Sequence, residues 1–355
     1  MKILIINGNY RSGTTWLQKI LDNNKKIIIC SQPFFELFKL FENYIIKTHK
    51  IAGIIDFPSG ILSFKKLPTT LLYDKFIKKK HLIDIINQII TSKDKERFNH
   101  TNLKFYKFFK KKILKKNNFL SFSEVLNYIV ETIIIYRGED LNKISYVGFK
   151  EGYLTSLLPL LLKVKNCKII NMIRDPREIA YSRNYSKNSD LKDFDIRTKH
   201  PTIMIGLLCK NNMQMSEKLK KNKKFLLVNF NKLILKKKIE IKKISKFLNI
   251  EIKIKKTLIN KENNKIWSAN TGGNKKNGNY GVNWKTNMKN YEIAVIEKIC
   301  DKYMLKNNYK KIYKDKNELN KIVSNFSENT NYLKKWSKKK YFINYDNKFI
   351  NKFKI

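Results

Sequence analysis

The chain has 355 residues, and 75 Lys and Arg against 29 Asp and Glu give it a formal net charge of +46. A hydrophobic fraction of 42%, with 22 phenylalanines and 18 tyrosines, excludes global disorder and is sufficient for a sizeable core. Such a charge is typical of nucleic-acid binding, but lysine occurs in every segment. A general compositional bias therefore explains the charge better than a dedicated basic groove, although the field attracts anionic nucleotides.

Two features of the sequence bear on compartment and metal content. The four cysteines lie far apart and form no CxxC pair, so we expect reduced core thiols rather than a zinc or redox motif: Cys30, Cys167, Cys209 and Cys300. No apolar run reaches the roughly 20 residues that a membrane helix needs. The chain starts directly with a strand instead of a signal peptide, and we expect a cytoplasmic protein.

The first elements are a strand, a glycine loop and a helix. Apolar residues from Ile3 to Ile6 predict the strand, the loop spans Gly8 to Thr15, and a helical pattern follows from Trp16. This order places backbone N–H groups and the positive end of a helix around a phosphate. The glycine spacing is that of a Walker A loop, but Thr14 occupies the position of its lysine and the cation is Arg11. We infer a nucleotide phosphate loop that is not built for a γ-phosphate and Mg²⁺.

Strands and helices alternate along much of the remaining chain. This pattern predicts an α/β fold with three layers, in which helices flank a central parallel sheet of four or five strands. We assign residues 1–310 to one domain with a mainly helical insertion at 34–140, and 311–355 to a basic C-terminal appendage. The predicted elements are strands at Ile27–Ser31, Tyr146–Lys150, Cys167–Ile173 and Phe225–Phe230, helices at Thr155–Val164, from Pro176, at Lys236–Leu248 and at Asn290–Met304, and a loop at 271–288.

Two motifs resemble those of a known enzyme family. Tyr10–Leu17 (YRSGTTWL) resembles the 5′-phosphosulfate loop of sulfotransferases that use 3′-phosphoadenosine 5′-phosphosulfate (PAPS), and Ile173–Arg183 (IRDPREIAYSR) resembles their 3′-phosphate motif. Weaker similarities follow in family order at Leu227–Leu233 and at Gly281–Lys285 (GVNWK), the latter without the Arg-Lys-Gly triplet of cytosolic members. The pattern is most similar to carbohydrate, tyrosylprotein and bacterial sulfotransferases.

The resemblance implies transfer of a sulfuryl group from PAPS to a hydroxyl or amine of an acceptor, with carbohydrate or protein favoured. It implies a co-substrate but no metal, because Arg and Lys supply the positive charge. Arg11 would stabilise charge on the leaving oxygen by charge and bidentate contact, since arginine does not donate a proton. The implied nucleotide-binding residues are Arg11, Ser12, Gly13, Thr14, Thr15, Trp16, Arg174, Ser182 and Trp284.

A base is needed to deprotonate the acceptor. Glu36 follows the second predicted strand, where some members of the family carry a glutamate, and its apolar neighbours would raise its pKa. His49 is the alternative. Lys150, after a strand in Phe149-Lys150-Glu151, resembles a lysine that some members place near the transferred sulfonate; a surface lysine is the competing interpretation.

Several of these residues also have structural interpretations. Trp16 and Trp284 stack on adenine or belong to the core, and Arg174 binds the 3′-phosphate or pairs with Asp175. We interpret Arg177 and Arg183, which the resemblance does not assign, as solvated or paired along their helix.

Two other functions fit parts of the sequence. A P-loop nucleotide kinase or NTPase needs the lysine that Thr14 replaces. A non-catalytic basic protein that binds nucleic acid would show strongly salt-dependent binding and no affinity for PAPS.

Overall fold

The computed structural model describes residues 2–32, 37–38, 54–57, 60–63, 77–91, 103–152, 154–185, 202–261, 264–267 and 283–324. The strands are β1 (Lys2–Gly8), β2 (Ile27–Ser31), β3 (Ile54–Phe57), β4 (Gly60–Ser63), β5 (Ile77–Lys78), β6 (Phe119–Leu120), β7 (Tyr146–Gly152), β8 (Cys167–Ile173), β9 (Phe225–Asn229), β10 (Leu258–Asn260) and β11 (Lys265–Trp267). The helices are α1 (Thr14–Asp22), α2 (Lys79–Thr91), α3 (Leu103–Leu114), α4 (Phe122–Arg137), α5 (Leu158–Lys163), α6 (Pro176–Asn184), α7 (Thr202–Leu219), α8 (Phe230–Leu235), α9 (Lys237–Leu248), α10 (Asn283–Asn287), α11 (Asn290–Lys306) and α12 (Lys316–Ser324).

A five-stranded parallel sheet with the order β2-β7-β1-β8-β9 forms the centre of the molecule. Ile5 of β1 is in register with Phe149 of β7 and Ile169 of β8. The strands are apolar along most of their length because helices cover both faces of the sheet. The predicted α/β fold class is confirmed, and the parallel sheet has five strands where the sequence predicted four or five.

Alternate side chains of the strands enter different hydrophobic clusters. Leu4 and Ile6 of β1 pack with Leu17 of α1 and Ile244 of α9 on one face. On the other face, Ile3, Ile5, Val147 and Phe149 pack with helices α2 to α5, for example through Phe105 and Ile129. A third cluster joins the end of β8 to α6, α7, α11 and α12.

The order of the strands determines where a ligand can bind. From β1 the chain runs to β2 at one edge of the sheet, whereas from β8 it runs to β9 at the opposite edge. The strands β1 and β8 are neighbours, so their connections diverge on either side of a crevice at their carboxyl ends. The loop after β1 contains Arg11 and the loop after β8 contains Arg174, which places both motifs at this crevice.

Local sequence signals explain several element boundaries. Pro176 begins α6, and the Asp175 side chain caps it by accepting from the Arg177 N–H. Ser121 and Glu124 form a capping box at the start of α4, which ends at Gly138 with φ 61°. All four cysteines are buried and none forms a disulfide, as expected from the sequence.

The described parts of the region 34–140 contain α2, α3 and α4 together with two antiparallel strand pairs, β3–β4 and β5–β6. Other differences from the predicted elements are the long helix α7 and the short helix α10, which begins inside the segment predicted as a loop. No helix in the described part of the chain combines the length and the apolar character needed to cross a membrane.

Tyr313, Leu319 and Val323, which lie in the predicted C-terminal appendage, belong to the third cluster.

Candidate active site

The loop between β1 and α1 has the backbone of an anion site. Arg11 and Gly13 both have positive φ, 61° and 87°, on either side of Ser12. The Ser12 N–H and hydroxyl both donate to the Asn9 carbonyl, which closes the turn. Left-handed residues of this kind turn successive N–H groups into one concavity, and Gly13 passes directly into α1 at Thr14. The first N–H groups of the helix therefore face the same region as the loop.

Gly13 is required by its conformation and by its neighbour. A Cβ atom on Gly13 would lie 2.1 Å from the ring of Phe230, the first residue of α8. The same ring lies 4.8 Å from Arg174 Cζ, a cation–π contact. Phe230 thus contacts both the first loop and the arginine of the second motif.

The loop between β8 and α6 presents Arg174. Its Nε–H donates to Glu178 Oε2 at 2.8 Å and its Nη1–H donates to the Arg11 carbonyl at 2.7 Å. Glu178 Oε1 accepts from Asn231 at 2.9 Å, so both carboxylate oxygens have partners. The bonds from Arg174 to Glu178 and to the Arg11 carbonyl use two of the five N–H groups of its guanidinium. The arginine is therefore held in place with donors left for a ligand.

The two motifs also meet through their side chains. Arg11 Nε–H donates to Ser182 Oγ at 2.9 Å. Ser182 lies on α6, the helix that follows the Arg174 loop in the chain. Arg11, Arg174 and Ser182 therefore form one group, although each was predicted as a ligand from a separate motif. The structure brings two guanidinium groups, a hydroxyl and a helix N-terminus to the crevice between β1 and β8.

The family comparison agrees with this geometry. The model of the sulfotransferase domain matches residues 2–308.

The chain belongs to the sulfotransferase family.

Solved structures are similar only at low identity. The sulfotransferase domain from the curacin biosynthetic pathway is 14% identical, with 91% of this chain and 96% of that chain covered and a TM-score of 0.39. Sulfotransferase STF1 from Mycobacterium tuberculosis H37Rv is 11% identical over 84% and 76% of the two chains, with a TM-score of 0.38. Retinol dehydratase in complex with androsterone and the inactive cofactor PAP is 13% identical over 88% and 82%, with a TM-score of 0.33. A search of curated proteins finds none that matches the chain.

Three of the remaining predicted ligands of this sulfotransferase, Thr14, Thr15 and Trp16, lie on α1 directly after the same loop, whereas Trp284 lies on α10. Thr14 is buried and Thr15 half-buried in the first turn of α1. Trp16, also half-buried, has Lys237 Nζ 5.2 Å above its ring. Trp284 of α10 is 3% exposed and lies in the third cluster. Stacking of either tryptophan on adenine stays a prediction, and Trp16 is the more open of the two.

Lys150 lies at the carboxyl end of β7, in register with Ile6 and Ser31. It is 4% exposed, so the interpretation as a surface lysine does not describe its place in the fold. The next residue, Glu151, is fully buried and in register with Asn7. Because successive side chains alternate along a strand, Glu151 and Asn7 lie on the face of the sheet opposite to Lys150. A role of Lys150 toward the sulfonate stays a prediction.

Both candidates for the base, Glu36 and His49, lie outside the described residues. Of the sites that are described, buried thiols are unsuited to the chemistry, because burial raises the pKa of Cys167 and of Cys209 to about 12. Within the described ranges, no group of three or more His, Cys, Asp or Glu is arranged to hold a metal.

The expectation that Arg177 is solvated or paired along its helix is wrong about solvation, and its pairing along the helix is only part of its contacts. Its guanidinium is 2% exposed and donates from Nε and Nη2 to Asp175 and from Nη1 to Glu297 of α11. Asp175 therefore pairs with Arg177, and Arg174 pairs with Glu178 instead. Nothing in the sequence near Arg177 indicates Glu297 as a partner, which lies 120 positions further along the chain.

A buried amide network below the crevice was also missed. Asn7 of β1 donates to Asn171 Oδ1 of β8 at 2.6 Å, and Asn171 donates to Asn212 and Ser216 of α7. Asn7 Oδ1 accepts from the Leu154 N–H at 2.9 Å. The available signal was an asparagine inside each of two apolar strand sequences, ILIING and KIINMI.

Proposed function

We propose that this sulfotransferase transfers a sulfuryl group from PAPS to a hydroxyl or amine of an acceptor, and that the acceptor is a carbohydrate or a protein. The observation that carries the proposal is the contact between Arg11 Nε and Ser182 Oγ at 2.9 Å. It joins the loop that resembles a 5′-phosphosulfate site to the motif that resembles a 3′-phosphate site. A nucleotide with phosphate groups at the 3′ and 5′ positions of its ribose fits two anion sites that are this close together.

The residues present suit such a nucleotide. On the 5′ side, the backbone concavity at Arg11–Gly13 and the N-terminus of α1 supply N–H donors. On the 3′ side, Arg174 supplies the N–H groups that Glu178 and the Arg11 carbonyl do not use, and Ser182 supplies a neutral hydroxyl. A Cβ on Gly8 would meet Ser12 Oγ at 2.7 Å and the Met172 carbonyl at 2.8 Å, so the packing of the loop leaves no room for a side chain at position 8.

In the proposed reaction, the bond between sulfur and the bridging phosphate oxygen breaks while the acceptor oxygen or nitrogen bonds to sulfur. Negative charge grows on the leaving oxygen, where Arg11 and the loop N–H groups stabilise it. Lys150 stabilises the sulfonate oxygens. The acceptor proton passes to a base, for which Glu36 is the first candidate and His49 the second.

Ligand-induced thermal stabilisation tests the nucleotide assignment. Adenosine 3′,5′-bisphosphate (PAP) is expected to raise the melting temperature more than ATP does, because ATP lacks the 3′-phosphate. Adenosine 2′,5′-bisphosphate is the matched control, since its charge is the same and the net charge of +46 attracts any polyanion. Equal shifts with the 2′,5′ and 3′,5′ isomers would contradict the 3′-phosphate assignment.

Incubation with ³⁵S-labelled PAPS and a panel of glycans, peptides and lipids tests the acceptor. Label on a glycan or a peptide is expected, and label on a lipid alone would overturn the acceptor class while leaving the donor intact.

A further inference from the structure

Arg177 is enclosed by two carboxylates from distant parts of the chain. Its Nε and Nη2 lie 2.9 and 2.6 Å from the two oxygens of Asp175, a bidentate pair, and its Nη1 lies 2.5 Å from Glu297 Oε1. The three side chains are 2%, 8% and 0% exposed. Planar, charge-assisted contacts of this kind fix orientation as well as distance. The start of α6 is therefore tied to the middle of α11.

Two further contacts extend this link. Arg177 Cζ lies 3.9 Å from the ring centroid of Trp284 in α10. Glu297 also accepts from the Ile312 and Tyr313 N–H groups, which belong to the segment after α11. One guanidinium thus holds α6, α10 and α11 together, and through Glu297 it reaches the backbone that follows α11.

The same helix start defines the geometry of the candidate 3′-phosphate ligands. Asp175 accepts two hydrogen bonds from the Arg177 guanidinium. It is the N-cap of α6 and follows Arg174 directly. Ser182 lies on α6 and accepts from Arg11. A change in how α6 begins therefore alters the relative positions of Arg174 and Ser182, although Arg177 contacts neither of these side chains through any bond described above.

We propose that Arg177 is a positioning residue for the 3′-phosphate site, fixing the start of α6 against α10 and α11 so that Arg174 and Ser182 converge on one phosphate. This inference rests on the proposed function. Arg177 then has a role in nucleotide discrimination that is separate from its contribution to the stability of the fold.

The test compares how strongly each variant distinguishes PAP from 5′-AMP, measured as the dissociation constant for 5′-AMP divided by that for PAP. Arg177→Met leaves Asp175 and Glu297 buried without their cation, so Arg177→Met/Glu297→Gln serves as a second variant with less unpaired charge. We expect the ratio to fall about tenfold or more in both, the loss of one well-placed charged hydrogen bond. The KM for PAPS should rise more than kcat falls at saturating PAPS.

Arg137→Met is the matched control. Arg137 is another arginine with a buried side chain, 4% exposed, and it pairs with the fully buried Asp22 at 3.2 Å. This pair joins the C-terminal ends of α1 and α4, away from the loops after β1 and β8. Arg137→Met should lower the melting temperature as Arg177→Met does and leave the ratio of the dissociation constant for 5′-AMP to that for PAP at the wild-type value. Arg177→Lys should give an intermediate ratio, because an ammonium cannot make the planar bidentate contact.

The outcomes are distinguishable. If the wild-type protein binds PAP more tightly than 5′-AMP and Arg177→Met/Glu297→Gln keeps the same ratio, the inference is wrong and the proposed function stands. If the wild-type protein shows no preference for PAP, the proposed function fails and the inference with it. Should neither Met variant fold, Arg177→Lys decides: a wild-type ratio overturns the positioning role, and a reduced one supports it.

Discussion

Arg11 and Ser182, which are 171 positions apart in the chain, share a hydrogen bond of 2.9 Å from Nε to Oγ. Arg174 closes the same group by donating to the Arg11 carbonyl at 2.7 Å. Arg11 has a φ of 61°, a left-handed conformation that costs about 1–2 kcal/mol for a residue with a side chain. The bonds to its carbonyl and to its guanidinium hold the residue in this conformation, as is common where backbone strain serves a binding site.

Replacement of Arg11 tests its proposed role at the leaving oxygen. Arg11→Ala should reduce kcat by roughly 10²–10³, the typical effect of removing one donor that stabilises a developing oxyanion. Affinity for PAP should fall less, because the loop N–H groups and Arg174 remain. The measurement is the initial rate of ³⁵S transfer to an acceptor from the panel, together with the dissociation constant for PAP.

Lys238→Ala is the control for Arg11→Ala, since it removes the same charge from an exposed position of α9. Its turnover should match the wild type. Equal losses in the two variants would mean that the general positive field, rather than the position of Arg11, supports the reaction.

Gly13 and Gly138 offer a matched pair for the packing of the phosphate loop. Both have positive φ, 87° and 61°, but a Cβ on Gly138 would meet nothing within 4 Å, whereas one on Gly13 would lie 2.1 Å from Phe230. Gly138→Ala should lower the free energy of unfolding by about 1–2 kcal/mol, from backbone conformation alone. Gly13→Ala should lower it further, by about 1–3 kcal/mol, because the ring must move.

Urea unfolding of both variants, of Phe230→Ala and of Gly13→Ala/Phe230→Ala separates the two effects. The double variant should be less destabilised than the sum of its single changes, since removal of the ring relieves the clash. Strict additivity would show that Phe230 is not the obstacle.

The sequence predicted the elements whose signals are local. The apolar run Cys167–Ile173 predicts the bounds of β8, and Pro176 marks the start of α6, because burial on both faces of a sheet and a fixed proline φ leave direct traces in the sequence. The helix α7 was missed since it is buried around most of its circumference and shows no clean apolar period.

For the candidate site as well, only residues with a local sequence signal could be selected. Arg11, Arg174 and Ser182 could be selected because each lies in a motif between a strand and a helix. The burial of Arg177 could not, because its partners Glu297 and Trp284 are brought to it by tertiary packing that nothing near Arg177 in the chain indicates.

The Glu178 carboxyl provides a pH-dependent signature of the second motif. Burial raises its pKa above the ordinary value of 4.5, although the Arg174 guanidinium opposes this shift. As the pH rises above 4.5, the unfolded chain releases this proton while the folded protein still holds it, so the free energy of unfolding decreases. Relative to Glu178→Gln, the wild-type protein should therefore lose stability from about pH 4.5 upward, until the folded carboxyl has also ionised. Urea unfolding of both proteins across this range measures the difference, and a pH-independent difference contradicts the prediction.

Glu36 is the first candidate for the base, and its replacement tests a residue chosen from the sequence. Glu36→Gln keeps the size of the side chain and removes its basicity, so kcat should fall roughly 10²–10⁴-fold while the dissociation constant for PAP stays the same. Glu42→Gln, which changes the next carboxylate along the chain, is the control and should turn over normally. Wild-type turnover by Glu36→Gln would transfer the role to His49, and a loss of turnover in His49→Gln would then confirm that assignment.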